Sequence, residues 1–108
     1  MKPIRKKSDF EKFRNQGKRY DLPFISLVVV ENDSYEDDFG LAVITSKKIG
    51  KAVQRNKVRR WIKEFFRQNH LLIPTDKDYL VIAKKGIFEY DYKNIWEDLK
   101  KIIEGLSN

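Results

Sequence analysis

Residues 47–67 read KKIGKAVQRNKVRRWIKEFFR, and this run decides both the charge and the layout of the chain. It holds nine Lys or Arg and one acid, Glu64, a local net charge of +8. The whole chain of 108 residues carries only +7, so the residues outside the run are close to neutral. Positive charge is therefore concentrated in one segment, which points to a polyanionic partner.

From Ala52 the run takes on helical spacing. Val58, Trp61, Ile62 and Phe65 fall at i, i+3, i+4 and i+7, the signature of an amphipathic helix. At about 100° per residue, Trp61, Phe65, Val58, Ile62 and Phe66 fill an arc of roughly 140°. Arg59, Lys63, Asn56, Arg67 and Arg60 fill the adjoining arc of roughly 100°. Arg55 sits at the boundary and Lys57 beyond Arg60. The helix is predicted to fix its apolar face to a sheet and to display a cationic stripe. An ordinary solvated face mixes Glu with Lys, and crowding cations with one carboxylate costs stability unless a polyanion neutralises them. Four of these cations are Arg, whose planar fork suits phosphate. The N-terminus of the helix adds backbone N–H groups and a favourable dipole.

Outward from the run, the basic turn Ser46–Lys51 contains Gly50, and Pro74 excludes further helix on the other side. FGLAVIT (39–45) and YLVIA (79–83) read as strands, as does the β-branched FISLVVVE (24–31), with a short strand at Arg19–Leu22. The acidic stretch Asn32–Asp38 reads as an exposed hairpin loop. Its carboxylates, Glu31, Asp33, Glu36, Asp37 and Asp38, lack the ligand spacing of a Ca²⁺ loop. A first helix is predicted at Asp9–Gln16, with a capping box from Ser8 and Glu11 and Gly17 at its C-terminus. Asp91 caps a last helix whose stripe, Tyr92 to Leu106, is core packing. Lys2–Lys7, basic and containing Pro3, is expected to be an extended or loosely ordered arm. The reading is one α+β domain over residues 1–108, of order α-β-β-β-α-β-α, with a mixed four-stranded sheet.

Several function classes are excluded. With no Cys and a single His, His70, the chain has no thiol chemistry and no zinc site. No GxxxxGK[ST] loop or Ser-His-Asp pattern is present. No apolar run spans a membrane and the N-terminus lacks a signal core, so a cytoplasmic protein is expected. A hydrophobic content of 41% argues against disorder. Two partners remain for the cationic helix, RNA and DNA. A DNA-binding regulator is disfavoured because a strand and a basic turn, not a helix, precede the basic helix. A ribosomal-type structural RNA-binding protein would share the same electrostatics.

The run Ser46–Arg67, SKKIGKAVQRNKVRRWIKEFFR, resembles the signature of the bacterial ribonuclease P protein component. That family's Arg-Asn-Arg triplet stands here as Arg55, Asn56 and Lys57, with Lys in the last place. Arg59 and Arg60 stand where the family has a basic pair, and Lys63 and Arg67 where further cations recur. The resemblance extends more weakly over most of the chain. It implies a ribosomal protein S5 domain 2-like fold with a left-handed βαβ crossover. It also implies an RNA-binding subunit of the endoribonuclease that removes the 5′ leader of precursor tRNA, with catalysis carried by RNA. By position, Lys47, Lys48, Lys51, Arg55, Asn56, Lys57, Arg59, Arg60, Lys63 and Arg67 would contact the catalytic RNA. Phe10 matches an aromatic position of a leader cleft. The family's second aromatic falls on Arg14, with Phe13 one residue earlier, so Phe13 is open between cleft and core and Arg14 could reach a leader phosphate. Mg²⁺ is implied in the holoenzyme, held mainly by RNA, with none assigned to the protein and no catalytic residue in it. The protein is expected to be a monomer, one per RNA.

Overall fold

The computed structural model describes residues 1–32 and 38–106. Five strands and three α-helices follow in the order β1 (Lys2–Pro3), α1 (Lys7–Gln16), β2 (Lys18–Asp21), β3 (Ile25–Glu31), β4 (Gly40–Ile44), α2 (Ala52–Gln68), β5 (Lys77–Ala83) and α3 (Tyr92–Leu106). The strands form one sheet of order β1-β4-β5-β3-β2. β5 lies at its centre, parallel to β4 and antiparallel to β3. The α2 segment joins the parallel pair.

The sheet thus has five strands, not the four expected. The fifth comes from the basic arm, which is ordered against β4. The N–H groups of Lys2 and Ile4 donate to the carbonyls of Phe39 (2.9 Å) and Leu41 (3.2 Å). Pro3 lies between them, facing away from the ladder on an edge strand, where its missing N–H costs nothing. The expected hairpin between β3 and β4 is also absent, because β5 lies between the two strands. The acidic tip of that connection, 33–37, lies outside the described residues.

Side chains alternate across the sheet and divide it into two unequal faces. Ile25, Leu27 and Val29 of β3, with Tyr79, Val81 and Ala83 of β5, meet Val58, Ile62, Phe65 and Phe66 of α2 and Ile95, Leu99 and Ile103 of α3. Phe39, Phe66 and Tyr79 form an aromatic triangle with ring centroids 5.6–5.9 Å apart. The buried Tyr79 hydroxyl donates to the Pro74 carbonyl at 2.8 Å, and burial pushes its pKa up. The α2–α3 seam is closed by Trp61 and Trp96, whose Nε1–H donates to the Trp61 carbonyl at 3.2 Å. Val28, Val30, Ala42 and Leu80 form the second face. Among the described residues, α1, ten residues long, is the one helix that lies over it, with Ile4 of the arm beside it.

Helix ends differ in how far they follow expectation. Asp91 caps α3 as predicted, its Oδ1 accepting the Lys93 N–H at 3.0 Å. The capping box on α1 does not form. That helix starts at Lys7 with Lys6 as its N-cap, and Ser8 falls inside the first turn. Pairing of β1 fixes where the chain enters the helix, which overrides the local cap. Gly17 ends α1 with extended backbone, φ −72°, so its role is not a left-handed cap. It provides space: a Cβ there would lie 2.3 Å from the Phe13 carbonyl oxygen and 2.4 Å from Val28 Cγ1.

Candidate nucleic-acid interface

The turn before α2 is a single 3₁₀ turn, Lys47–Ile49, that buries Ile49 and leaves Lys47 and Lys48 exposed. Gly50 follows with φ +153°, a conformation that favours glycine. The backbone N–H of Lys51 donates to the Gln54 Oε1 at 3.0 Å, satisfying the helix entry. This turn directs Lys47, Lys48 and Lys51 to the N-terminal end of α2, as a group apart from the stripe further along.

Along α2, Val58, Ile62, Phe65 and Phe66 are buried while Asn56, Lys57, Arg60, Lys63 and Arg67 are exposed; Arg55 and Arg59 are half-buried. The apolar and cationic arcs wound from the sequence are therefore present. Asn56, Arg59, Arg60, Lys63 and Arg67 converge on one concavity of about 330 Å³ that also holds Glu64. Arg59 donates to Asn56 Oδ1 at 3.3 Å. Arg67 is tied to Glu64, with Nε 3.0 Å from Oε2 and a second contact from NH2 to Oε1. That arginine, followed by Gln68, holds the Glu64 carboxyl below its ordinary pKa. Lys57 turns away from the stripe, its Nζ 5.4 Å from the centre of the Trp61 ring. Helix α2 follows β4 and a 3₁₀ turn, so no helix-turn-helix is built around it.

A second concavity, about 280 Å³, joins Arg59 and Lys63 to Lys2 and Arg5 of the N-terminal arm, with Phe10 at its far side. Lys2 and Arg5 were not singled out from the sequence. Their place beside α2 follows from β1 pairing with β4.

The uncovered part of the second sheet face forms a groove of about 410 Å³. Phe10, Phe13, Arg14 and Gly17 of the α1 segment make one wall, Arg19 of β2 the other, and Val28, Leu80, Ile82 and Ile44 the floor. Phe13 is only 3% exposed, so its ring is core; Phe10 is half-buried and Arg14 exposed. Ile44, at 39% exposed, is a large apolar side chain that the fold leaves uncovered in the floor. At the β2 end, Asp21 accepts hydrogen bonds from Ser26 and Arg19, which hold its carboxyl down to about pKa 2. Arg19 and Ile82 were missed in the sequence. Their signal lies in strand register, which pairs Arg19 with Val28 and Ile82 with both Ser26 and Ile44.

Among the described residues no cluster of three or more His, Asp or Glu is placed to hold a metal ion. The carboxylates nearest the two surfaces, Glu64 and Asp21, are engaged by arginines. This donor set does not fit a protein-bound metal.

A family model described as Ribonuclease P matches residues 2–107. The chain belongs to the ribonuclease P protein family. It is 34% identical over 104 residues to the ribonuclease P protein component of Clostridioides difficile, covering 95% of this chain and 90% of the relative. It is 35% identical over 96 residues to that of Syntrophus aciditrophicus, covering 89% and 79%. The fold agrees with the RNase P protein from Thermotoga maritima, with a TM-score of 0.82 at 28% identity over 96% of both chains. It also agrees with the RNase P protein of Staphylococcus aureus, at 0.83 and 29% over 96% of this chain and 94% of that one. Membership makes the chain an RNA-binding subunit of ribonuclease P, the endoribonuclease of tRNA 5′ maturation, whose bacterial catalyst is RNA. The family's holoenzyme is metal-dependent and works with the ribonuclease P RNA. Among the described residues no helix is long and apolar enough to cross a membrane.

Proposed function

We propose that the cationic face of α2, with the turn before it, docks the catalytic RNA, and that the groove beneath α1 receives the single-stranded 5′ leader of precursor tRNA. The observation that carries this reading is the difference in chemistry between two surfaces that adjoin at the concavity shared by Phe10, Arg59 and Lys63. Phosphate-binding side chains converge on α2, and an apolar floor with an aromatic wall lies under α1. A folded RNA offers a dense phosphate surface, which suits the first. An unpaired leader offers base faces, which suit the second, and stacking tolerates any sequence, as a general processing enzyme requires. Lys47, Lys48, Lys51 and Arg55 extend the first surface toward the N-terminus of α2, with Lys57 at its margin. Phe10 and Arg14 serve the second, with Phe13 supporting Phe10 from the core. Mg²⁺ is held mainly by RNA, one protein serves each RNA, and the assembly works in the cytoplasm. Reconstitution with a bacterial catalytic RNA tests this: the protein stimulates precursor cleavage at low Mg²⁺. Absence of stimulation beside a relative that does stimulate overturns it.

A further inference from the structure

The groove ends on its β2 side in a bonded cluster that the RNA-docking roles above leave unexplained. Arg19 and Asp21 are two apart on β2 and share the groove face, and Ser26 lies opposite Asp21 on β3. Arg19 Nε–H donates to Asp21 Oδ1 at 2.8 Å, and its NH2 group donates to Ser26 Oγ at 3.1 Å. Ser26, which is fully buried, donates its hydroxyl to Asp21 Oδ1 at 2.5 Å. Lys84, just past β5, reaches the same oxygen at 3.5 Å and the Leu22 carbonyl at 2.8 Å. The guanidinium is thereby held at two of its nitrogens, and its remaining N–H donors are available to the groove that it lines. Arg14, on the opposite wall, has no bonded partner among the described residues, so ordering it on a ligand costs rotamer entropy that Arg19 has already lost.

We propose that Arg19 is a fixed phosphate ligand for the strand in this groove and that Asp21 is its positioning residue, acting with Ser26. This rests on the reading of the groove as the leader site. The strands from β4 to β2 span three inter-strand steps, about 14 Å, so a strand stacked near Phe10 and Ile44 has to cross the sheet to meet Arg19. A forked guanidinium locked in plane presents parallel N–H groups to a phosphate there. Asp21 is ionised at neutral pH, as any carboxylate of ordinary pKa is, and the hydrogen bonds from Ser26 and Arg19 lower its pKa further, to about 2.

Positioning and simple electrostatics predict opposite signs for one substitution. Asp21→Asn removes one negative charge beside the groove, so attraction by net charge would tighten leader binding. Loss of positioning weakens it. The experiment uses the holoenzyme reconstituted with catalytic RNA and compares affinity for precursor tRNA with affinity for mature tRNA. Asp21→Asn is expected to lower the leader-dependent gain roughly tenfold, the scale of one charged hydrogen bond. Arg19→Lys keeps the charge and the salt slope but loses the fork, and falls by a similar factor. Adding Asp21→Asn to Arg19→Ala produces no further loss, because the two act as one unit. Leader affinity in Asp21→Asn equal to or above that of the unaltered protein overturns the proposal. So does full affinity in Arg19→Lys, which leaves Asp21 and Ser26 in place and decides the matter even where Asp21→Asn does not fold. Phe10→Ala separates the two levels. A leader-specific loss there with no loss in the Arg19 and Asp21 variants overturns only the positioning role. Equal losses for precursor and mature tRNA in Phe10→Ala overturn the groove as the leader site.

Discussion

The α2 face presents its cations on one rigid helix, whereas the groove beneath α1 is assembled from five elements and is floored by aliphatic side chains. The first is legible as charge, and its binding is dominated by counterion release, which salt suppresses. The second carries few charges and binds through stacking and burial, which salt affects little. One sheet can offer both because its two faces are covered unequally. Two long helices close one side, and a single short helix leaves part of the other open. The contrast teaches that the strongest sequence signal and the substrate-facing surface need not coincide.

Removing charge from α2 is the largest perturbation. Arg59→Ala with Arg60→Ala takes two cations from the concave patch, and each lost phosphate contact lowers the salt slope of catalytic-RNA binding by about 0.7–0.9. The double variant is expected to bind catalytic RNA at least a hundredfold more weakly, at about 1.5 kcal/mol or more per charged contact. Its stability falls by no more than about 1–2 kcal/mol, because Arg60 is exposed and the half-buried Arg59 loses one hydrogen bond, to Asn56. Filter binding across a salt series checks this, and an unchanged slope would remove phosphate contact from these two residues. Leader preference should survive in the same variant, which is how the two surfaces are told apart.

The reverse perturbation is Phe10→Ala. Stacking on an unpaired base contributes about 1–3 kcal/mol, so affinity for leader-bearing tRNA falls by about tenfold or more. Binding of catalytic RNA keeps its full salt slope. A fall in both would mean that Phe10 holds β1 and α1 in place, since its ring also borders the concavity that contains Arg59 and Lys63.

These two surfaces differed in how far the sequence disclosed them. The α2 stripe was legible because a 3.6-residue period and a charge imbalance are local properties, and Val58, Ile62 and Phe65 are buried where the period placed them. β3 was legible from its β-branched run, although not its neighbour in the sheet. The groove was not legible as a whole. Arg19 faces it only because β2 pairs with β3 in the register that sets Arg19 against Val28. Ile44 and Ile82 meet only because β5 inserts between β3 and β4. For the arm, Pro3 and a terminal position leave extended and loosely ordered chain equally open; its pairing comes from hydrogen bonds to Phe39 and Leu41, far along the chain. Ser8 and Glu11 had the spacing of a cap, and tertiary pairing of β1 placed the helix start elsewhere.

The smallest effect compares the one carboxylate clamped by an arginine in each region, Glu64 on α2 and Asp21 at the groove. Both have folded pKa values below their ordinary ones, Asp21 falling from 3.8 to about 2. Each therefore binds a proton more weakly when folded, and its contribution to stability is fully present above its ordinary pKa. For Asp21 that contribution is lost as pH falls from about 4 to about 2. Asp21 is exposed and Glu64 partly so, and solvent screens both, so each contribution is small. Asp21→Asn and Glu64→Gln should each unfold at slightly lower denaturant than the unaltered chain at pH 7, and the Asp21→Asn curve should merge with it near pH 2. The regions part in their response to salt at neutral pH. Ser26, which is buried, provides the largest share of the Asp21 shift and is not screened, so the Asp21→Asn deficit persists at high salt. The Glu64 shift comes first from the exposed Arg67, and its deficit shrinks as salt rises. Equal salt sensitivity in the two variants would show that the buried hydroxyl does not distinguish the groove's carboxylate from the one on the helix.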